Sequence, residues 1–202
     1  MSATEIVIRY LRERARVRLF APLALFLATA GSLLVAGGAF RVDAFLWATF
    51  GAFVFCLAFR VWDDLEDRSA DRVRHSERVM SLVTTTRPFV ALIGVLAVGG
   101  AALLVQFGGI LQRAAALGLA VAILSVWYAG RPSEKWNRLA GEHIVSLKYP
   151  LIAYAVAPAL PGDSLSWRVV GVLAAVYATV CIYGYVDDPE LRHIFASRRS
   201  VS

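Results

Sequence analysis

Four aspartates crowd into nine residues of the stretch RVWDDLEDRSADRVRHSER, residues 60–78: Asp63, Asp64, Asp67 and Asp71. Positions 63, 67 and 71 lie four apart, so one helix would raise three carboxylates along a single face with Asp64 beside them. Like charges at that spacing repel, and such a helix needs cations. Carboxylate oxygens are hard ligands suited to Mg²⁺, which binds through one or two carboxylates plus substrate phosphates. Arg60, Arg68, Arg72, Arg74 and Arg78 share the stretch, and guanidinium groups clamp phosphate oxygens bidentately. Metal and arginine together would neutralise charge developing on a departing allylic diphosphate. The competing reading is a solvated, salt-bridged helix end, with Asp64 and Arg68 as an i,i+4 pair. DDLED, a DDxxD pattern, does not separate the two by itself.

The elements that must position this cluster are apolar. The chain has 202 residues, 58% hydrophobic, with a mean hydropathy of +0.62. Soluble domains run at about 45–50% apolar, and a bilayer-spanning helix takes roughly 20 residues. The expected fold is an all-α polytopic transmembrane helix bundle of about six spans, a single domain over 1–202. The spans fall at about 19–39, 44–62, 88–107, 112–129, 144–160 and 168–186. Pro88 suits the start of the third, Pro150 and Pro158 predict kinks in the fifth, and Ser164 or Ser166 would cap the sixth. Residues 5–18, EIVIRYLRERARVR, read as a basic amphipathic helix on the membrane surface. Cys56 and Cys181 fall inside apolar runs, which argues against a disulfide framework. No secretory signal is apparent.

The charge pattern orients the bundle. Of 21 basic residues, only Arg41, Arg113 and Arg168 lie on the second set of connections. The rest sit in the amino-terminal segment, the 60–87 and 130–148 connections and the tail. The positive-inside rule therefore puts both termini and both acidic clusters in the cytoplasm. Basic charge interleaved with apolar spans suits a lipid bilayer and excludes a nucleic-acid partner.

FRVWDDLEDRSADRVRHSERV resembles the first aspartate-rich motif of the UbiA superfamily of intramembrane prenyltransferases. Asp63 stands where that family usually has Asn, while Asp64, Asp67 and Asp71 match its aspartates. His75 and Arg78 match the segment that follows, with Ser76 and Val79 in place of its prolines. WYAGRPSEKW, 127–136, is similar to the family's Tyr-x-x-x-Pro stretch with a nearby Lys. Asp187, Asp188 and Glu190 stand where a second Asp-x-x-x-Asp motif would follow the last span, but position 191 is Leu. The bland reading of that segment is a capped helix end.

The resemblance implies Mg²⁺-dependent transfer of a prenyl group from a polyprenyl diphosphate to a hydrophobic acceptor, with an aromatic ring as one candidate. Asp63, Asp64, Asp67 and Asp71 would hold one metal and act in catalysis, and Asp187, Asp188 and Glu190 would hold a second. Arg72, Arg78, Tyr128, Arg131 and Lys135 would receive the substrate. Aromatics such as Phe50, Phe53, Phe55, Tyr154, Tyr177 and Tyr183 would shield an allylic cation, although packing explains any one of them equally well. The family is a nine-helix bundle, so six spans imply a reduced form, a homo-oligomer that completes the bundle, or a non-catalytic membrane partner with a degraded site. A terpene cyclase on the same scaffold is a further alternative. A CDP-alcohol phosphatidyltransferase is set aside because Arg68 and Ser69 do not supply its Gly and Ala-Arg positions.

Overall fold

Long apolar runs fold as helices, because backbone N–H and C=O groups in a bilayer must be paired within the chain. The computed structural model describes residues 2–35, 40–130, 134–160 and 166–187, and there the chain is all-helical, with no strand. The helices are α1 (Ala3–Arg14), α2 (Val17–Leu33), α3 (Val42–Glu66), α4 (Arg68–Arg74), α5 (Val79–Leu82), α6 (Arg87–Val105), α7 (Ile110–Ala129), α8 (Glu134–Ser146), α9 (Lys148–Ala155) and α10 (Trp167–Asp187).

Four of these, α3, α6, α7 and α10, are long and apolar enough to cross a membrane. A fifth is counted if α1 and α2, bent by 72° at their joint, form one broken span. Half of the most apolar stretch of α3 is buried in the protein, against 17% for each of α6, α7 and α10. α3 is thus the central helix. The others turn large side chains outward, including Val95 and Val98 of α6 and Leu111 and Val126 of α7. Contiguous exposed apolar surface of this kind is at home in lipid.

Small residues let the central helices approach. Ala24, Ala28, Ala48, Ala52, Ala153 and Ala155 belong to the main buried cluster, joined there by Leu27, Phe55, Ile152 and Val156. A Cβ on Gly31 would lie 2.8 Å from the Ala153 carbonyl oxygen, and one on Gly100 2.7 Å from the Phe55 ring. Close helix contact through Gly and Ala is how bundles in lipid gain packing energy.

Several expectations hold at the element level. α6 begins with Pro88 in its first turn, and Ser166 Oγ accepts the Val169 N–H at the start of α10. Both cysteines are free. Ser164 lies outside the described residues. Three expectations change. The fifth span, 144–160, is not one helix: α8 ends at Ser146 and α9 runs for only eight residues. Pro150 sits in the first turn of α9, where its missing N–H costs nothing, and so marks a new helix start instead of a kink. The basic segment 5–18 is a helix over Ala3–Arg14, with Ser2 and Glu5 forming a capping box. Part of its apolar side packs on protein, where Ile6 and Tyr10 meet Val61, Val79, Met80 and Phe89, while Ile8 is exposed. The aspartate stretch is not one continuous helix either, since α3 ends and α4 begins at Asp67. Backbone bonds still run through the joint, from Asp67 N–H to Asp63 O and from Asp71 N–H to Asp67 O, each 2.9 Å.

Arg113, at the opposite end of the bundle from the aspartates, is fully buried and lies 5.3 Å from the Phe107 ring centroid. It donates to Gly108 O (2.7 Å), Ala155 O (2.6 Å), Ala157 O (2.7 Å) and Phe107 O (3.4 Å), tying the ends of α6 and α9 together. Arg113→Met orphans these carbonyls and is expected to destabilise the protein by about 3 kcal/mol. Gly31→Val, which drives a side chain into backbone, should cost about 1–3 kcal/mol. Thermal unfolding in detergent tests both, with Gly118→Ala as control because nothing lies within 4 Å of the added Cβ. Midpoints unchanged from the parent would show that neither contact holds the bundle.

Candidate functional site

α3 delivers Asp63 and Asp64 to the end of the bundle, where three other helices, α1, α7 and α9, meet them. Asp64 is 5% exposed. Its Oδ1 accepts from Arg14 Nη2 (2.5 Å) and its Oδ2 from Arg14 Nε (2.9 Å) and the Tyr10 hydroxyl (2.8 Å). Arg60, one turn back on α3, adds a contact of 3.1 Å to Oδ1. Burial and the neighbouring Asp64 carboxylate push the Tyr10 hydroxyl well above the usual tyrosine range. Tyr10 therefore remains a donor at any ordinary pH. The i,i+4 partner expected of Asp64, Arg68, instead donates to the carbonyls of Met80 and Val83 and caps α5.

Asp63 faces a different set. Tyr128, from the end of α7, donates to Oδ1 at 2.5 Å, and the Lys148 ammonium sits on Oδ2. Lys148 is 3% exposed. Its Nζ also lies 5.9 Å from the Phe59 ring centroid and 5.3 Å from that of Tyr149. Asp71 is held by Arg78, whose Nη1 reaches both carboxylate oxygens at 2.8 and 2.7 Å. Asp67 occupies the α3–α4 joint. Asp63, Asp64 and Asp71 are thus paired, as in the salt-bridged alternative, but Asp64 is buried and the other two are half-buried instead of solvated.

Sequence and structure agree on some members of the site and part on others. Asp63, Tyr128 and Arg78 are brought to one face, whereas Arg72 is exposed and His75 stands 3.7 Å from Glu77. Arg131, Asp188 and Glu190 lie outside the described residues, as do the side chains of Lys135 and Asp187. Among the described residues no three His, Cys, Asp or Glu side chains converge as a metal-binding group. As arranged, Asp63, Asp64 and Asp71 do not fit a shared Mg²⁺: each turns its oxygens toward a different cation, and Asp64 has both oxygens taken.

The residues that complete the site, Tyr10, Arg14 and Lys148, carried one weak sequence signal. Lys148 is one of only two lysines in the chain and is embedded in an apolar run. An ionisable residue placed there marks a functional position. Nothing local singles out Arg14 among the arginines around it.

A cavity of about 710 Å³ adjoins this network. Among the described residues its lining holds Arg14, Arg16, Arg18, Arg60, Arg78 and Lys148, against Glu13 and Asp63. Its wall continues as Leu19, Phe20, Leu23 and Phe26 of α2, with Tyr149 of α9 and Val180 and Tyr183 of α10. Leu19, Thr179 and Tyr183 are exposed, so the cavity is open between α2 and α10. An anionic head with an apolar tail matches this distribution.

Arg14 is the bolt that holds α1 down. Arg14→Ala leaves Asp64 with Arg60 and Tyr10, and should loosen α1 by about 1–3 kcal/mol. Hydrogen exchange of the α1 amides would then rise by about tenfold or more, while α7 amides are unchanged. Equal protection of α1 in both proteins would show that the ion pair does not anchor it.

No known family, no curated protein and no solved structure matches this chain.

Proposed function

We propose that this protein is a membrane enzyme, UbiA-like in its first aspartate motif, that binds a prenyl diphosphate in the cavity beside Asp63 and transfers the prenyl group to a hydrophobic acceptor. The observation that carries this reading is the cavity itself, with six cations among its lining residues and an apolar wall that continues from them. A fatty or prenyl chain fills such a wall, and a diphosphate needs such cations. In the reaction the bond between the allylic carbon and the diphosphate oxygen breaks, and its electron pair leaves with the diphosphate. Lys148 and the arginines meet the growing negative charge in a site partly screened from water, where fixed charges act most strongly. Phe20, Phe26, Tyr149 and Tyr183 offer aromatic faces to the allylic cation. The acceptor then bonds to that carbon and gives up a proton.

In this reading α2, of 17 residues and roughly 25 Å, and the broken α8–α9 segment are also passes, giving six. The basic face with both termini is then cytoplasmic, in the cell membrane. A second reading, a non-catalytic membrane partner, draws on one specific observation: Asp63, Asp64 and Asp71 are each closed by a cation of the chain.

Membranes containing the protein are supplied with radiolabelled prenyl diphosphates of several lengths, and diphosphate release is followed together with the prenyl product. The expected outcome is protein-dependent release for one length range, reduced by about 100-fold in Lys148→Gln. The exposed pair Arg16→Gln with Arg18→Gln gives a second variant that leaves the buried network intact. Binding without release at any length favours the partner reading. Product formed without any acceptor makes the protein a cyclase.

A further inference from the structure

The arrangement of charge around Asp63 says how an anion is held, provided that the ligand is the prenyl diphosphate proposed above. A metal that bridges protein and phosphate needs carboxylate oxygens turned toward the cavity. Asp64 is turned away, onto Arg14, Arg60 and Tyr10, and is not part of the cavity wall. Asp63 does reach the wall, but Lys148 and Tyr128 each cover one of its oxygens. To admit a divalent ion there, Lys148 must give up its ion pair with Asp63. The lysine is 3% exposed and flanked by the Phe59 and Tyr149 rings. An ammonium that loses its partner in such surroundings is strongly disfavoured.

The charge of the wall points the same way. Among the described residues, six cations face two carboxylates, an excess of positive charge that suits an anion. Arg16 and Arg18 stand at the positive end of the α2 dipole, with no acidic residue in that first turn. That placement costs stability until negative charge arrives.

We propose that the protein holds the diphosphate directly on Lys148 and the arginines of the α1–α2 elbow, and that a divalent metal is not required for binding. The acidic stretch is then the scaffold that fixes these cations, with Asp63 orienting Lys148 and Asp64 orienting Arg14 and Arg60.

The test uses the full chain in nanodiscs of neutral lipid, titrated calorimetrically with geranylgeranyl diphosphate, once with EDTA and once with MgCl₂. The expected affinities agree within about threefold, and Asp67→Asn changes them by no more than about threefold. Arg16→Gln with Arg18→Gln, both exposed positions, weakens binding by about tenfold or more in EDTA. Binding that is about tenfold or more tighter with Mg²⁺, or that is lost in Asp67→Asn, overturns the inference and leaves the prenyl-diphosphate reading standing. Absence of binding in both buffers, repeated with prenyl diphosphates of ten, fifteen and about fifty carbons, sinks that reading and the inference with it. Inorganic pyrophosphate in a parallel titration should bind more weakly by about tenfold or more, and equal affinity would assign the site to free anions.

Discussion

Two carboxylates carried on one apolar helix cannot be buried at its end without cations. A charge removed from water is tolerated only when paired and hydrogen-bonded. Asp63 and Asp64 are consecutive on α3, so they point to different sides, and each recruits its own neighbours. Asp64 draws in α1 through Tyr10 and Arg14, and Asp63 draws in α7 through Tyr128 and α9 through Lys148. A four-helix junction thus follows from one dipeptide. Its geometry is specific because Arg14 offers two donors in a fixed fork and Tyr10 only one, and swapping either would leave an oxygen uncovered.

The opposite end of the bundle solves a related problem with the same residue type. Helix ends expose carbonyls that need donors, and in an apolar medium water does not supply them. Arg113 satisfies the ends of α6 and α9, and Arg168 donates to Leu33 O (2.9 Å) and Val35 O (3.2 Å) at the end of α2. These two residues are most of the basic charge on that side. The sparse arginines that set the charge asymmetry are therefore caps, and topology and backbone satisfaction are met by the same side chains.

The elements were legible where the signal is local and long. Apolar runs gave α3, α6, α7 and α10 within a few residues, because about 20 consecutive apolar residues leave little choice in a bilayer. The break at Leu147 was less legible. Pro150 flagged trouble, but whether a proline kinks a helix or restarts it depends on what packs beside it. The site divides the same way. Four aspartates in nine residues announce a charged cluster, and the spacing places them on successive turns. What faces them is not in that spacing: Arg14 lies 50 positions from Asp64, and Lys148 lies 85 from Asp63. The pattern DDxxD is equally compatible with a metal or with the chain's own cations, and only the fold distinguishes the two arrangements.

The network and the cavity are one electrostatic object. Each aspartate cancels part of a cation that also lines the cavity or stands beside it, so the cations are held rigid at little cost in net charge. Arg16 and Arg18 are not cancelled in this way, since the 72° turn between α1 and α2 places them at the polar end with no carboxylate in that turn. The turn itself exists because Arg14 and Tyr10 pin α1 across the end of α3 while α2 runs back along it. The same ion pair that closes the bundle thereby aims an uncompensated pair of arginines at an apolar space open between α2 and α10. Asp63, Asp64 and Asp71 decide through geometry which cations are held by the chain itself.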